Sequence, residues 1–150
     1  MTSLESRLQA DMTAALKSGD KVRLGTIRQL RSQFQYEKLS AGDAWSDEVA
    51  EAVLAKAAKM RRESIAQYER GNRPDLVERE QAELKIIEEY LPEQLSEAEL
   101  DRIIDEAIAA TGASGSKDMG RVMGIVIPKV KGRTDGAVVG KRVREKLGAT

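Results

Sequence analysis

Nine cations stand between Lys117 and Lys146: Lys117, Arg121, Lys129, Lys131, Arg133, Lys141, Arg142, Arg144 and Lys146. Only Asp118, Asp135 and Glu145 oppose them, so the segment is net +6. The whole 150-residue chain balances 25 basic against 25 acidic residues, which leaves everything before Lys117 at −6. Lysine and arginine at this density are suited to binding phosphates and other anions. A charge split inside a neutral chain therefore points to an anionic partner for the basic part. The competing reading is a solvated helical end whose charges only keep the chain dissolved. Lys131, Gly132 and Arg133 fall where one helical pattern ends and the next begins at Asp135. Exposed backbone N–H groups and flexible cations favour an anion at such a place. Lys117 and Arg121 lie one turn apart on the preceding helix, and Lys129, Lys141 and Arg142 complete the candidate RNA-binding set. Contacts of this kind fix position on a nucleic acid without reading bases. Aromatic residues make up only 3% of the chain, so stacking platforms for single strands are lacking, and a folded RNA recognised by shape is the expected ligand.

Other chemistries fail at the level of composition. There is no histidine and no cysteine, which removes Ser-His-Asp and Cys-His devices, thiolate and histidine metal ligands, and disulfides. A carboxylate-bridged metal bundle would need Glu-x-x-His pairs. Gly112-Ala-Ser-Gly-Ser-Lys117 has the wrong spacing for a phosphate loop and no buried strand before it. No constellation of the remaining Lys, Glu and Asp residues assembles a catalytic site. The expectation is no catalytic residue, no metal and no cofactor, with enzymatic activity left open.

These residues must be positioned by helices. Thr2 and Glu5 fit a capping box, after which Leu4, Leu8, Met12, Ala15 and Leu16 recur at helical spacing up to Gly19. Asp20 caps a second helix with Leu24, Ile27, Leu30 and Phe34 inside. Its cations Lys21, Arg28 and Arg31 share a face, either to meet phosphate or to pair with acids of a neighbouring helix. Ser40 to Ala44 reads as a loop. Ser46 caps a long third helix from Asp47 to about Arg70, with Val49, Val53, Met60 and Tyr68 along one edge of its apolar face. Pro74 restarts a fourth from Asp75 to Tyr90, acidic outside, with Val77, Leu84, Ile87 and Leu91 inside. An acidic fourth helix beside basic second and third helices would fix the pairing of an antiparallel bundle.

Pro92 ends this helix, and Glu93-Gln-Leu-Ser96 reads as a hinge. Ser96 and Glu99 form a second capping box, followed by Leu100, Ile103, Ile104, Ala107 and Ile108 on one face. Ser116 is expected to cap the next helix, whose stripe is Met119, Val122, Met123, Val126 and Val130. Gly120 and Gly124 leave a smooth strip beside it, where a neighbouring helix or a ligand backbone can approach closely. Pro128 removes the N–H that would bond Gly124, so a kink or stop is expected there. A strand over Ile125–Ile127 is rejected because the stripe is helical. Asp135 starts the last helix, with Val139, Val143 and Leu147 inside. The fold expected is all-α in two small bundles: a four-helix bundle over 1–91, a hinge over 92–96, and a three-helix domain over 97–150.

Three segments also carry a family resemblance: Glu89-Tyr-Leu-Pro-Glu-Gln-Leu-Ser96, Asp118-Met-Gly-Arg-Val-Met-Gly124 and Pro128-Lys-Val-Lys-Gly-Arg-Thr-Asp-Gly136. In order and over essentially the whole length, the chain resembles the GatB/YqeY family, on the side of its free-standing YqeY-like members. Residues ~97–147 are similar to the tail domain of the B subunit of tRNA-dependent amidotransferase. The resemblance implies an all-helical protein in two small bundles, tRNA or a tRNA-processing complex as partner, and Gly120, Gly124, Lys131, Gly132 and Arg133 as the motif positions. It implies an association with glutamine-dependent carbon–nitrogen ligase activity only by inheritance from the larger subunit. Two rival expectations are a protein-interaction adaptor docking on the Gly120/Gly124 strip and an accessory amidotransferase component. No apolar run reaches the ~20 residues of a membrane span, and Met1-Thr-Ser-Leu-Glu lacks a secretory n-region and h-region, so no membrane contact and a cytoplasmic location are expected.

Overall fold

The capping chemistry at Thr2 sets the first element. Its hydroxyl accepts from the Glu5 N–H at 3.2 Å, and the Glu5 carboxylate accepts from the Thr2 N–H at 2.6 Å, starting α1 (Ser3–Ser18). Gly19, at φ 76°, closes α1 in the left-handed conformation that a Cβ disfavours. Asp20 accepts from Arg23 N–H and opens α2 (Lys21–Ala41). Ser46 does the same for α3 (Asp47–Arg70), and Pro74 stands in the first turn of α4 (Pro74–Glu88). Then follow α5 (Glu97–Thr111), α6 (Met119–Val130) and α7 (Gly136–Lys146). The computed structural model describes residues 1–148, and among these there are seven α-helices, two 3₁₀ turns and no strand. The expected domain end at residue 150 lies outside the described residues.

The chain divides into two units, Met1–Pro92 and Glu93 onward. In the first, α1 packs on α2, α3 packs on α4, and α2 contacts both α3 and α4. Leu8, Ile27, Leu30, Phe34, Leu54 and Ile87 are its large, fully buried side chains. In the second, α5, α6 and α7 contact one another in all three pairs around Ile104, Val122, Val126, Val139 and Val143. Deleting one such side chain to Ala in either core costs roughly 2–5 kcal/mol, as transfer and cavity terms add.

Several sequence expectations are refined. Leu16 and Met60 stand 60% and 48% exposed, because the apolar stripes of α1 and α3 run one position past the edge of the core they serve. Ser40 and Ala41 continue α2, and the chain turns at Gly42 instead. Pro128 neither stops α6 nor ends it early, since the helix runs on to Val130. The carbonyl it deprives of a donor belongs to Gly124, an exposed residue, where water can serve. Ser116 does not cap α6. A 3₁₀ turn over Ser116–Asp118 leads in, and the Asp118 carboxylate accepts from the Ser114 N–H at 3.1 Å. Ile125–Ile127 is helical.

Candidate nucleic-acid interface

The first unit uses its charges on itself. Arg61 of α3 pairs with Glu83 of α4 at 2.9 Å and with Glu80 at 3.5 Å. Arg23 of α2 pairs with Glu89 at 2.6 Å, Arg62 with Glu88 at 4.0 Å, and Lys38 with the buried Glu5 at 3.1 Å. The basic second and third helices thus meet an acidic fourth. Burial pushes the Glu5 carboxyl up, but hydrogen bonds from the Thr2 N–H and from Lys38 outweigh it and hold its pKa at about 2. Tyr90 is buried and donates to Asp11 at 2.5 Å, with the Arg7 guanidinium 4.6 Å over its ring. Burial and that hydrogen bond both push the phenol up.

The second unit distributes its nine-cation segment differently. The α7 residue Arg142 donates through both Nε (3.0 Å) and Nη2 to Asp101 of α5. That pairing holds the Asp101 carboxyl below the usual range and raises the Arg142 guanidinium. Lys146 reaches Asp105 at 3.0 Å. Arg142 is therefore paired inside its own bundle, which its expected role as an RNA-binding residue does not anticipate. The cause is a pair of α5 acids one helical turn apart facing α7, a contact that sequence spacing does not reveal. Arg121 pairs with Asp118 at 2.5 Å yet stays 62% exposed. The Ser114 N–H, and then Arg121, lower the Asp118 carboxyl.

The turn that joins α6 to α7 is fastened from behind. Gly132 sits at φ 76°, the left-handed conformation that admits glycine most easily. Its carbonyl accepts from the Gln94 amide at 3.2 Å, while the Arg133 carbonyl accepts from the Leu95 N–H at 2.9 Å. Arg133 Nε donates to the Glu93 carbonyl at 3.0 Å. Glu93 to Leu95 are thus fastened to the second unit as a strap. Arg133 shapes the turn as much as it presents charge. At the start of α7, the Asp135 carboxylate takes the Ala137 N–H at 2.9 Å, so the helix end expected to bind an external anion already holds an internal one.

Gly120 and Gly124 do not pack against another helix. A Cβ on either would find no heavy atom within 4 Å, and both residues are exposed. The glycine that does sit in a packed position is Gly140 of α7, buried, where a Cβ would lie 3.9 and 4.0 Å from the methyls of Met119 and Met123. On α6 the buried line is Val122, Val126 and Val130. Gly120, Arg121, Gly124 and Pro128 lie on the exposed remainder, with Lys129 at its margin and Lys131 just past its end; Lys117, expected on the same helix, stands in the 3₁₀ turn before it. The structure therefore brings together a cation at each end of a side-chain-free strip. Lys117, Lys129, Lys131 and Lys141 are exposed, and Lys141 stands apart on the outer side of α7. Among the described residues there is no cluster of acidic side chains able to hold a metal ion and no helix long and apolar enough to cross a membrane.

The chain matches the family model described as YqeY-like protein over residues 5–147. It is similar to proteins named altered inheritance of mitochondria protein 41, mitochondrial. The one from Pyrenophora tritici-repentis is 33% identical over 146 residues, covering 95% of this chain and 80% of the relative. Those from Lachancea thermotolerans and Kluyveromyces lactis are 36% and 37% identical over 99 and 84 residues. There the match covers 64% and 55% of this chain, but only 53% and 45% of the relatives' own length. The expectation of a cytoplasmic location is overturned by these relatives, which are named as mitochondrial. Its basis was too narrow: the lack of a secretory n-region and h-region does not bear on mitochondrial targeting, which uses an amphipathic, arginine-rich signal. The chain belongs to the YqeY-like family.

Proposed function

We propose, with membership of the YqeY-like family as the premise, that this chain holds a folded RNA, tRNA being the favoured class, through the exposed strip of α6 and its flanking cations. The mitochondrial setting of its relatives is taken over as part of the same reading. The observation that carries it is the α6 face itself, where Gly120 and Gly124 leave open space between Lys117 before the helix and Lys129 and Lys131 at its end, with the exposed Arg121 between the two glycines. A sugar–phosphate backbone can come close to a helix where no Cβ stands in the way, and lysines on flexible stems then reach its phosphates. Binding of this kind depends on backbone geometry, which suits a structured RNA more than an extended strand. Holding rather than transforming is the natural role of a site whose ionisable groups are lysines and arginines facing water. On this reading the carbon–nitrogen ligase association of the family is an association with a complex, in which the chain presents or steadies the RNA.

The test is filter binding of folded tRNA to the full chain across a salt series. The triple substitution Lys117→Ala, Lys129→Ala and Lys131→Ala should weaken binding and lower the slope of log K against log salt by about 2–3, since each phosphate contact contributes about 0.7–0.9. Its melting temperature should stay within experimental scatter, because exposed lysines contribute little to stability. Affinity for tRNA no greater than for heparin, or an unchanged slope in the triple variant, would overturn the reading. An adaptor that docks proteins on the same strip instead predicts partners that survive nuclease treatment in a pull-down and are lost in the triple variant.

A further inference from the structure

The outward face of α2 carries a pattern of which the first unit uses one member, Gln29, whose Oε1 accepts from Arg61 of α3 at 2.7 Å. Val22, Gly25, Gln29, Ser32, Tyr36 and Leu39 are all exposed, and they succeed one another at alternating intervals of three and four residues. That interval is the a/d repeat of a helix-pairing seam. Val22, Tyr36 and Leu39 are 52%, 72% and 87% exposed, large apolar side chains left in water on a single line. Ile27, Leu30 and Phe34 already bury the opposite face of the same helix, so the exposed apolar members of the seam, Val22, Tyr36 and Leu39, are surplus to the fold.

The seam is complementary to itself turned end for end. Set antiparallel, Val22 meets Leu39, Gly25 meets Tyr36 and Gln29 meets Ser32. Large lies against small where it matters most, since a Cβ at Gly25 would find nothing within 4 Å and that space can receive the Tyr36 ring. At the centre Gln29, its Oε1 already taken by Arg61, can still donate its amide N–H to the Ser32 hydroxyl. A parallel pairing would set Gly25 on Gly25 and leave a gap that no side chain fills. Lys21, Arg28 and Gln35 run along one flank. Reversed against itself, that flank brings Arg28 to Gln35 and Lys21 toward Asp43, with no like charges opposed. Beside the seam, a groove of about 330 Å³ between α2 and α3, lined by Tyr36, Val53, Ala57 and Met60 among others, offers a second apolar wall to the incoming helix.

We infer that α2 is the contact surface for a second copy of this chain, joined antiparallel about a two-fold axis that passes between Gln29 and Ser32. Such an isologous interface uses the same patch twice and closes on itself. It is independent of the RNA reading, which concerns the other unit.

Sedimentation of the full, nuclease-treated chain over a rising concentration series should show the mass doubling from 16.5 kDa. Tyr36→Glu and Leu39→Glu, at exposed positions, should return it to monomer, with a melting temperature that no longer rises with concentration and equals that of the unsubstituted chain at its lowest, monomeric concentration. Register is read by crosslinking, since the chain has no cysteine. Residues 25 and 36 lie about 16 Å apart along a helix rising 1.5 Å per residue, well beyond the ~7 Å between Cα atoms that a disulfide spans. Gly25→Cys and Tyr36→Cys should each fail to crosslink alone and crosslink readily when mixed. A monomer at every concentration up to the solubility limit would overturn the inference. So would disulfides formed within each single variant, which mark a parallel pairing, or a chain that stays monomeric while binding a foreign amphipathic helix.

Discussion

The two units spend their charge in opposite ways. In the first, Arg23, Lys38, Arg61 and Arg62 each face a carboxylate from another helix or its flank, and the pairs fix which helix lies beside which. In the second, the side where α7 meets α5 is neutralised through Arg142 and Lys146 on Asp101 and Asp105, and on α6 Arg121 leans back on Asp118. The exposed face of α6 keeps its lysines in water. Net charge alone would have marked the whole C-terminal third as one basic surface. Pairing divides it into a structural side and an available side.

The contrast breaks first in the first unit if its ion pairs are decorative. Glu83, only 9% exposed, serves Arg61 and, at 3.8 Å, Arg79. Glu83→Ala should lower unfolding free energy by about 1–3 kcal/mol in urea titration, because it leaves Arg61 half-buried without its closest acid. tRNA affinity should not move. An affinity loss without a stability loss would reverse the assignment of roles.

Acid sharpens the same comparison. Glu5 ionises at about 2 in the folded protein and near 4.5 when unfolded. A depressed carboxylate contributes stability that is complete above the unfolded value and drains away as pH falls from ~4.5 toward 2. Glu5→Gln should flatten the fall in stability over that window in chemical denaturation, by roughly 3 kcal/mol. The slope persisting unchanged would place the acid-sensitive group elsewhere.

The smallest effect tests the strip. Gly124→Ala fills open space on an exposed helix, so it should raise stability by about 0.5–1 kcal/mol. If an RNA backbone lies there, the same methyl should weaken tRNA binding. Stability and affinity would then move in opposite directions, which no purely structural role of Gly124 produces.

What was legible from the residues was local. Thr2 with Glu5, Gly19, Asp20, Ser46 and Ser96 all act at helix ends where their side chains must act, because capping is decided within a few residues. Apolar stripes located both cores, and misplaced only positions at their margins such as Leu16 and Met60. What was not legible was every contact between distant segments. Nothing near Arg142 announces Asp101, forty-one residues earlier, and nothing near Arg133 announces Glu93. Gly120 and Gly124 had the spacing of close packing, but whether a neighbour fills that space depends on how α5 and α7 flank α6. The packed glycine was Gly140, which has in Gly136 the same four-residue spacing, so spacing alone could not tell the packed position from the open ones.

The strap over Glu93 to Leu95 sets a boundary for inheritance of this half. Because Leu95 and Gln94 grip the carbonyls of Arg133 and Gly132, and Arg133 grips Glu93 in return, the C-terminal unit begins before its first helix does. A graft that carries it into another protein from Glu97 would sever that clasp and let the turn bearing Lys131 drift. One that starts at Glu93 would transplant the lysine together with the aim it was given.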